Sequence, residues 1–425
     1  MFLLHTTITN GIRLNPAAKR TLFLFAAAAA AKGLNVMPDL ISEFQTIPVG
    51  RLGIIAMRGC EDLVDSINDY LVSWRQQRES EHKTTIAFAG YQRDTYLIKT
   101  QCPRFGTGEA KGMIKESVRG LDLFILTDCY NYGCTYKMYG QEVPMSPDDH
   151  YQDLKRIIAA VSGKARRVNV IMPMLYEGRQ HKRSSRESLD CAVALQELIN
   201  AGVANIITFD AHDARVQNAI PTGGFEDVKT TYQMIKALTK CVPDLKIDKD
   251  SMMIISPDEG GMNRCIYYAS VLGINLGMFY KRRDYSRIVN GRNPIVDHQY
   301  LGAPVEGKDL VIVDDMISSG DSVLEIAERV KAMGAKRVFV CTSFGLFCEG
   351  LDRFDDAYEK GVIEKVFTTD LIYRSPELLS REWYCEVDMS KYLAYIIDSL
   401  NHDITISPLL DPSDRIERLL QKLPK

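Results

Sequence analysis

Asp309-Leu-Val-Ile-Val-Asp-Asp-Met-Ile-Ser-Ser-Gly-Asp-Ser322 is the stretch that decides the fold. An apolar run delivers two carboxylates, a loop of small residues follows, and helical periodicity begins. Val323, Ile326, Ala327 and Val330 fall on one face, so a helix is predicted over 322–333, capped by Asp321 or Ser322. Strand, loop and helix in that order are the unit of an α/β architecture. A loop opening a helix presents unsatisfied backbone N–H groups at the positive end of the helix dipole, which suits phosphate. The hydroxyls of Ser318, Ser319 and Ser322 add donors around Gly320, and no G-x-x-x-x-G-K-[ST] loop occurs. Asp314 and Asp315 stand where they can accept hydrogen bonds from sugar hydroxyls or face a magnesium ion.

The same grammar extends outward from this stretch. Short apolar runs at 123–126, 168–172, 205–208, 252–255, 310–313 and 338–341 read as strands buried on both faces, as in a parallel sheet. Three of them repeat in order. Gly120-Leu-Asp-Leu-Phe-Ile-Leu-Thr-Asp128 parallels Gly307-Lys-Asp-Leu-Val-Ile-Val-Asp-Asp315, the segment from Gly163 parallels that from Gly334, and Gly202 to Asp210 parallels Gly361 to Asp370. A duplicated α/β domain follows, and only the second copy carries the serine-rich loop. Asp128, Asp210, Asp258, Asp314 and Asp315 each follow an apolar run, where open parallel sheets bind ligands. The plainer reading, a helix cap, suits one or two of the five.

Composition sets the outer limits. The 425 residues are 46% hydrophobic and 25% charged with net charge −3, which excludes wholesale disorder and leaves no general basic face for nucleic acid. Ten cysteines without a C-x-x-C, several inside apolar runs, read as buried reduced thiols of a cytoplasmic protein and not as a disulfide frame or a zinc site. Lys19-Arg20 precede an apolar run from Thr21 to Ala31 that is shorter than the roughly 20 residues a membrane span needs. That segment has the outline of a signal peptide, but an upstream extension with initiation nearer Met37 is the preferred reading.

Further motifs resemble those of the ribose-phosphate pyrophosphokinase family, from about residue 48 to near the end. The serine-rich loop alone fits any phosphoribosyltransferase. Asp210-Ala-His-Asp-Ala-Arg-Val-Gln217 is similar to the family's Asp-Leu-His stretch, which implies His212 as a ligand of the magnesium of Mg-ATP. Ile255-Ser-Pro-Asp-Glu-Gly-Gly261 resembles the diphosphate loop, with Asp258 contributing to metal binding. Tyr280-Lys-Arg-Arg-Asp284 resembles the flexible loop whose Lys-x-Arg pair closes over the triphosphate, matched here by Lys281 and Arg283. Arg104-Phe-Gly-Thr-Gly-Glu109 and Tyr176-Glu-Gly-Arg-Gln-His181 resemble nucleotide-binding segments, which implies that Phe105, Thr107, Gly108, Glu109, Arg179 and Gln180 receive the nucleotide.

The departures are specific. Thr107 replaces an aspartate, one residue is inserted before Arg179, and His181 replaces an acid. Ser318-Ser-Gly-Asp-Ser322 stands where the family usually has Asp-Thr-x-Gly-Thr, so Asp321 would repel phosphate unless it points away. The resemblance implies two phosphoribosyltransferase-like domains, at 48–225 and 226–395, after an extension at 1–47 and before a tail at 396–425 that packs back on the first domain. It implies transfer of the β,γ-diphosphoryl group of Mg-ATP to the 1-hydroxyl of ribose 5-phosphate. Asp314, Asp315 and residues Ser318, Ser319, Gly320, Asp321 and Ser322 would hold the sugar phosphate. It also implies Mg2+ as cofactor and a homo-oligomer, often a hexamer, without nucleic-acid or membrane partners. A phosphoribosyltransferase and a non-catalytic regulatory homologue are the alternatives.

Overall fold

The computed structural model describes residues 47–80, 90–283 and 295–422. The first half contains β1 (Arg51–Ala56), β2 (Thr100–Gln101), β3 (Met113–Ile114), β4 (Leu121–Leu126), β5 (Thr135–Met138), β6 (Gln141–Pro144), β7 (Arg167–Ile171), β8 (Asn205–Phe209) and β9 (Gly224–Val228). Its sheet runs β1-β4-β7-β8-β9, and every pairing is parallel. The second half contains β10 (Met252–Ser256), β11 (Asn275–Arg283), β12 (Ile295–Gly302), β13 (Asp309–Ile317), β14 (Arg337–Gly345), β15 (Lys365–Thr369) and β16 (Tyr384–Val387). Its sheet runs β12-β11-β10-β13-β14-β15-β16, parallel except at β11–β12. Every residue of β4 and of β10 is buried, as strands covered on both faces require.

The duplication is visible in the strand orders. Removing the β12-β11 edge from the second sheet leaves five strands in the order of the first. A partly buried ion pair recurs at equivalent places. Arg167 at the start of β7 grips Asp122 of β4 through two bonds of 2.8 Å. Arg337 at the start of β14 grips Asp309 of β13 at 2.9 and 2.7 Å. These pairs lie in the segments that the repeated Gly-x-Asp and Arg-Val motifs align, so the repeat has a physical core: two donors matched to two carboxylate oxygens.

The halves are tied together. Helix Ser390–Asn401, from the end of the chain, packs on helix Glu61–Ser80, with Trp74 stacked on Tyr395 at 4.5 Å. Asn401 Nδ2 donates to Gly50 O and to Asp122 Oδ2. Helix Ser390–Asn401 runs across the expected tail boundary at 396. Farther on, helix Ser413–Leu420 lies against helices Thr231–Cys241 and Met262–Leu272. One apolar cluster runs through both halves, from Leu52 and Ile54 to Val311 and Phe339.

All ten cysteines are free. Cys241 and Cys348 are exposed and Cys102 and Cys385 only partly buried, so the expectation that the thiols are buried fails at these four. No helix among the described residues is long and apolar enough to cross a membrane. The expected extension at 1–47 lies, but for Ile47, outside the described residues.

Candidate active site

The site forms where the strand ends of the two halves meet. Asp210, just beyond β8, adopts φ +38°, an uncommon conformation for a residue with a side chain. Its buried carboxylate holds that turn by accepting bonds from Thr230 N (3.1 Å), Thr230 Oγ1 (2.6 Å) and, from the second half, Ser343 Oγ (2.6 Å). Asp128, beyond β4, likewise accepts from Tyr130 N and from Tyr373 N across the junction. These two carboxylates of the five are therefore engaged in building the junction.

The turn at Asp210 projects His212 onto the end of β13. His212 Nδ1 lies 2.7 Å from Asp315 Oδ2, and that bond raises the imidazole pKa. Burial works against ionisation of Asp315, but the bond from His212 and the nearby Arg264 hold its carboxyl low. Burial and the Asp315 charge together push Asp314 up. Arg264 Nη1 stands 3.8 Å from Asp314 Oδ1 and 3.9 Å from Asp315 Oδ1. Arg264 received no role in the sequence reading. Its only sequence signal is its place three residues after the Gly260-Gly261 pair, on the helix opened by that loop.

Beyond Asp315 the chain makes the expected loop. Gly320 has φ +87°, and a side chain there would strike the Phe354 ring at 2.6 Å. Gly320 itself occupies the helix cap position, and helix Asp321–Ala332 has no side-chain cap. The expected cap by Asp321 or Ser322 is thus corrected. Asp321 is already inside the helix, and its carboxylate turns to Arg353 Nη1 at 2.5 Å and to Ser319 Oγ at 2.8 Å. Its charge is answered by that arginine. Ser318 Oγ receives Arg179 Nη1 at 3.4 Å, so the segment expected to receive the nucleotide touches the serine loop directly.

The remaining expected residues are placed as follows. Asp258, just after β10, accepts Gly261 N through Oδ1 at 3.1 Å, and Gln180 Nε2 donates to Ser188 O. Phe105 and Glu109 close a tight loop (Phe105 N to Glu109 O, 2.7 Å), and Gly108 turns at φ +93° within it. Thr107 Oγ1 donates to Glu109 Oε2, and Phe105 is 53% exposed. Among the described residues no hydrogen bond joins this loop to His212 or to the serine loop. Lys281 and Arg283 were expected on a loop. Their backbone instead continues β11, opposite His298 and Ile295 of β12, and their side chains lie outside the described residues.

Among the described residues no three histidine, cysteine or acidic side chains gather as a metal cage. Magnesium needs none: it keeps water and substrate phosphate ligands and takes only one or two protein carboxylates. Asp314 and Asp315, paired at the end of β13 beside the serine loop, fit that requirement. His212 brings nitrogen, a softer donor, and already spends Nδ1 on Asp315.

Two mainly parallel sheets, each delivering acids and loops from its strand ends, define a tandem phosphoribosyltransferase-type architecture. Sequence comparison narrows it. Residues 52–202 match the N-terminal domain of ribose phosphate pyrophosphokinase, and residues 226–379 match the phosphoribosyl transferase domain. The ribose-phosphate pyrophosphokinase of Vibrio parahaemolyticus is 30% identical over 313 residues, covering 72% of this chain and 90% of that protein. That of Ralstonia nicotianae is 31% identical, covering 65% and 78%. Phosphoribosylpyrophosphate synthetase from Mycobacterium smegmatis superposes with a TM-score of 0.65 at 20% identity, covering 83% of this chain and 99% of that one. The chain belongs to the ribose-phosphate pyrophosphokinase family and is an enzyme of that family.

Proposed function

We propose that the junction between the halves catalyses transfer of the β,γ-diphosphoryl group of ATP to the 1-hydroxyl of ribose 5-phosphate, releasing AMP. One observation carries the assignment to this place. His212 and Arg179, from the first half, meet Asp315 and Ser318, from the second, at 2.7 and 3.4 Å. A donor held by one half and an acceptor held by the other would meet there.

The barrier to such a transfer is mostly charge crowding, so positioning and fixed charge are what a protein supplies. The backbone N–H groups of 319–322, at the start of helix Asp321–Ala332, hold the 5-phosphate together with the Ser318 and Ser319 hydroxyls. Asp314 and Asp315 orient the ribose hydroxyls. Arg179 spans from the serine loop toward the nucleotide, and Phe105 to Glu109 with Gln180 receive the base and ribose. Lys281 and Arg283, at the end of β11, answer charge on the transferring group. Asp258 and the Asp314–Asp315 pair, with His212 beside Asp315, would hold magnesium, which would supply charge neutralisation at the phosphate oxygens. The family resemblance also supports a homo-oligomer in which one subunit's 105–109 loop serves a neighbour, and a cytoplasmic location.

The test is AMP release by purified protein with Mg-ATP, with and without ribose 5-phosphate, in phosphate buffer. Sugar-dependent AMP with an equal amount of phosphoribosyl diphosphate is expected. Nucleotide binding without AMP release would instead point to a binding-only member.

A further inference from the structure

His181 is the feature of the junction that the roles above leave unused. It follows Arg179-Gln180, where the resembling motif has an acid. The acid is nonetheless present in space: Asp213 Oδ2 stands 2.9 Å from His181 Nδ1. Asp213 is fixed in turn by Arg215, which donates to it from its backbone N at 3.0 Å and from Nη2 at 2.5 Å. The His181 side chain is 12% exposed, and its ring meets that of His212 edge to face, centroids 5.4 Å apart and planes at 74°. A continuous series therefore runs Arg215, Asp213, His181, His212, Asp315, and its last step crosses from one half to the other.

The geometry explains what the extra imidazole does. The bond to Asp315 fixes one nitrogen of His212 but leaves the ring able to pivot about that bond. The His212 side chain is 42% exposed, so packing alone does not stop the pivot. A second ring packed edge to face with it does, provided that ring is itself held. Asp213 holds it.

We propose that His181, seated on Asp213, is a positioning residue that fixes the His212 ring against Asp315 across the junction of the halves. The consequence for catalysis rests on the reading that His212 works at the donor phosphates, where misplacement by about 1 Å costs on the order of a hundredfold in rate.

The test uses the full chain and sugar-dependent AMP release, with His181→Ala, His181→Phe, Asp213→Asn and, as reference, His212→Ala. His181→Ala is expected to lower kcat about tenfold, a partial misplacement on that scale, with KM for ribose 5-phosphate unchanged. His181→Phe restores a ring edge and is expected to recover most of the loss. Asp213→Asn is expected to fall between them. Nitrogen-15 NMR of the imidazoles, in a chain with seven histidines, gives a readout independent of turnover. The His212 resonances should move in His181→Ala and return in His181→Phe. An unmoved His212 spectrum with full kcat in His181→Ala overturns the proposal, as do equal losses in the Ala and Phe variants. Full activity of His212→Ala would instead overturn the reading of His212, and the spectra would still decide whether His181 positions it.

Discussion

Asp321 is the residue whose charge most directly opposes a phosphate in the serine loop, and Arg353 is its answer. The pair lies at 2.5 Å, with both side chains about half exposed or more. Exposed pairs contribute little to stability, on the order of 0–1 kcal/mol. Its effect belongs to binding: without Arg353, an anion at the loop faces an uncompensated carboxylate. Arg353→Ala is expected to raise KM for ribose 5-phosphate several-fold with kcat little changed, and Asp321→Asn on that background to restore it. Failure of the second change to restore binding would show that Arg353 acts on the phosphate itself. At the other end of the site, Lys281→Ala is expected to cut turnover far more than nucleotide affinity. A large loss of affinity with turnover intact would remove Lys281 from the transfer step.

At the scale of elements, the serine loop keeps its shape through Gly320, since φ +87° disfavours any side chain and the Phe354 ring fills the space beside it. Gly320→Ala combines both penalties, so a loss of about 1–3 kcal/mol in stability is expected, with weaker ribose 5-phosphate binding. Urea unfolding and KM measure the two, and an unchanged pair would mean the loop tolerates another path. This element was the most legible in the sequence, because an apolar run, small residues and helical spacing follow each other directly. The repeat was legible for the same reason: the segments 120–128 and 307–315 begin with the same Gly-x-Asp and end in acids. Less legible were contacts made across distance in sequence. Nothing local to His212 names Asp315 as its partner, nothing in Asp321 points to Arg353, and Arg264 carries no motif of its own. The Lys281–Arg283 segment looked like a loop because it is polar, but it continues an antiparallel edge pair, where cross-strand bonding to β12 overrides composition.

For the whole molecule, the decisive contact is the one between helices Ser390–Asn401 and Glu61–Ser80. Asp398, in helix Ser390–Asn401, is buried between Arg75 and Arg78 of helix Glu61–Ser80, at 3.3 and 2.7 Å. Burial alone would raise its pKa; Arg78, His402 and Arg75 more than offset it and hold the carboxyl well below the usual range. A depressed folded pKa means the unfolded chain binds the proton more readily. The stabilisation from Asp398 is therefore complete above about pH 4, the ordinary aspartate value, and is lost as pH falls toward the lower folded value. His402, whose pKa is lowered chiefly by burial, works in the same direction from about pH 6.5 downward. Asp398→Asn leaves two buried guanidinium groups without their acid, a loss of about 3–5 kcal/mol. Its urea midpoint should fall at pH 7 and then decline less steeply than that of the parent protein below pH 4. A parallel decline in both would mean that the contact holding the two halves as one unit does not depend on this charge. The His212–Asp315 bond would then be maintained by the shared apolar core together with the bonds between the halves at Asp210 and Asp128.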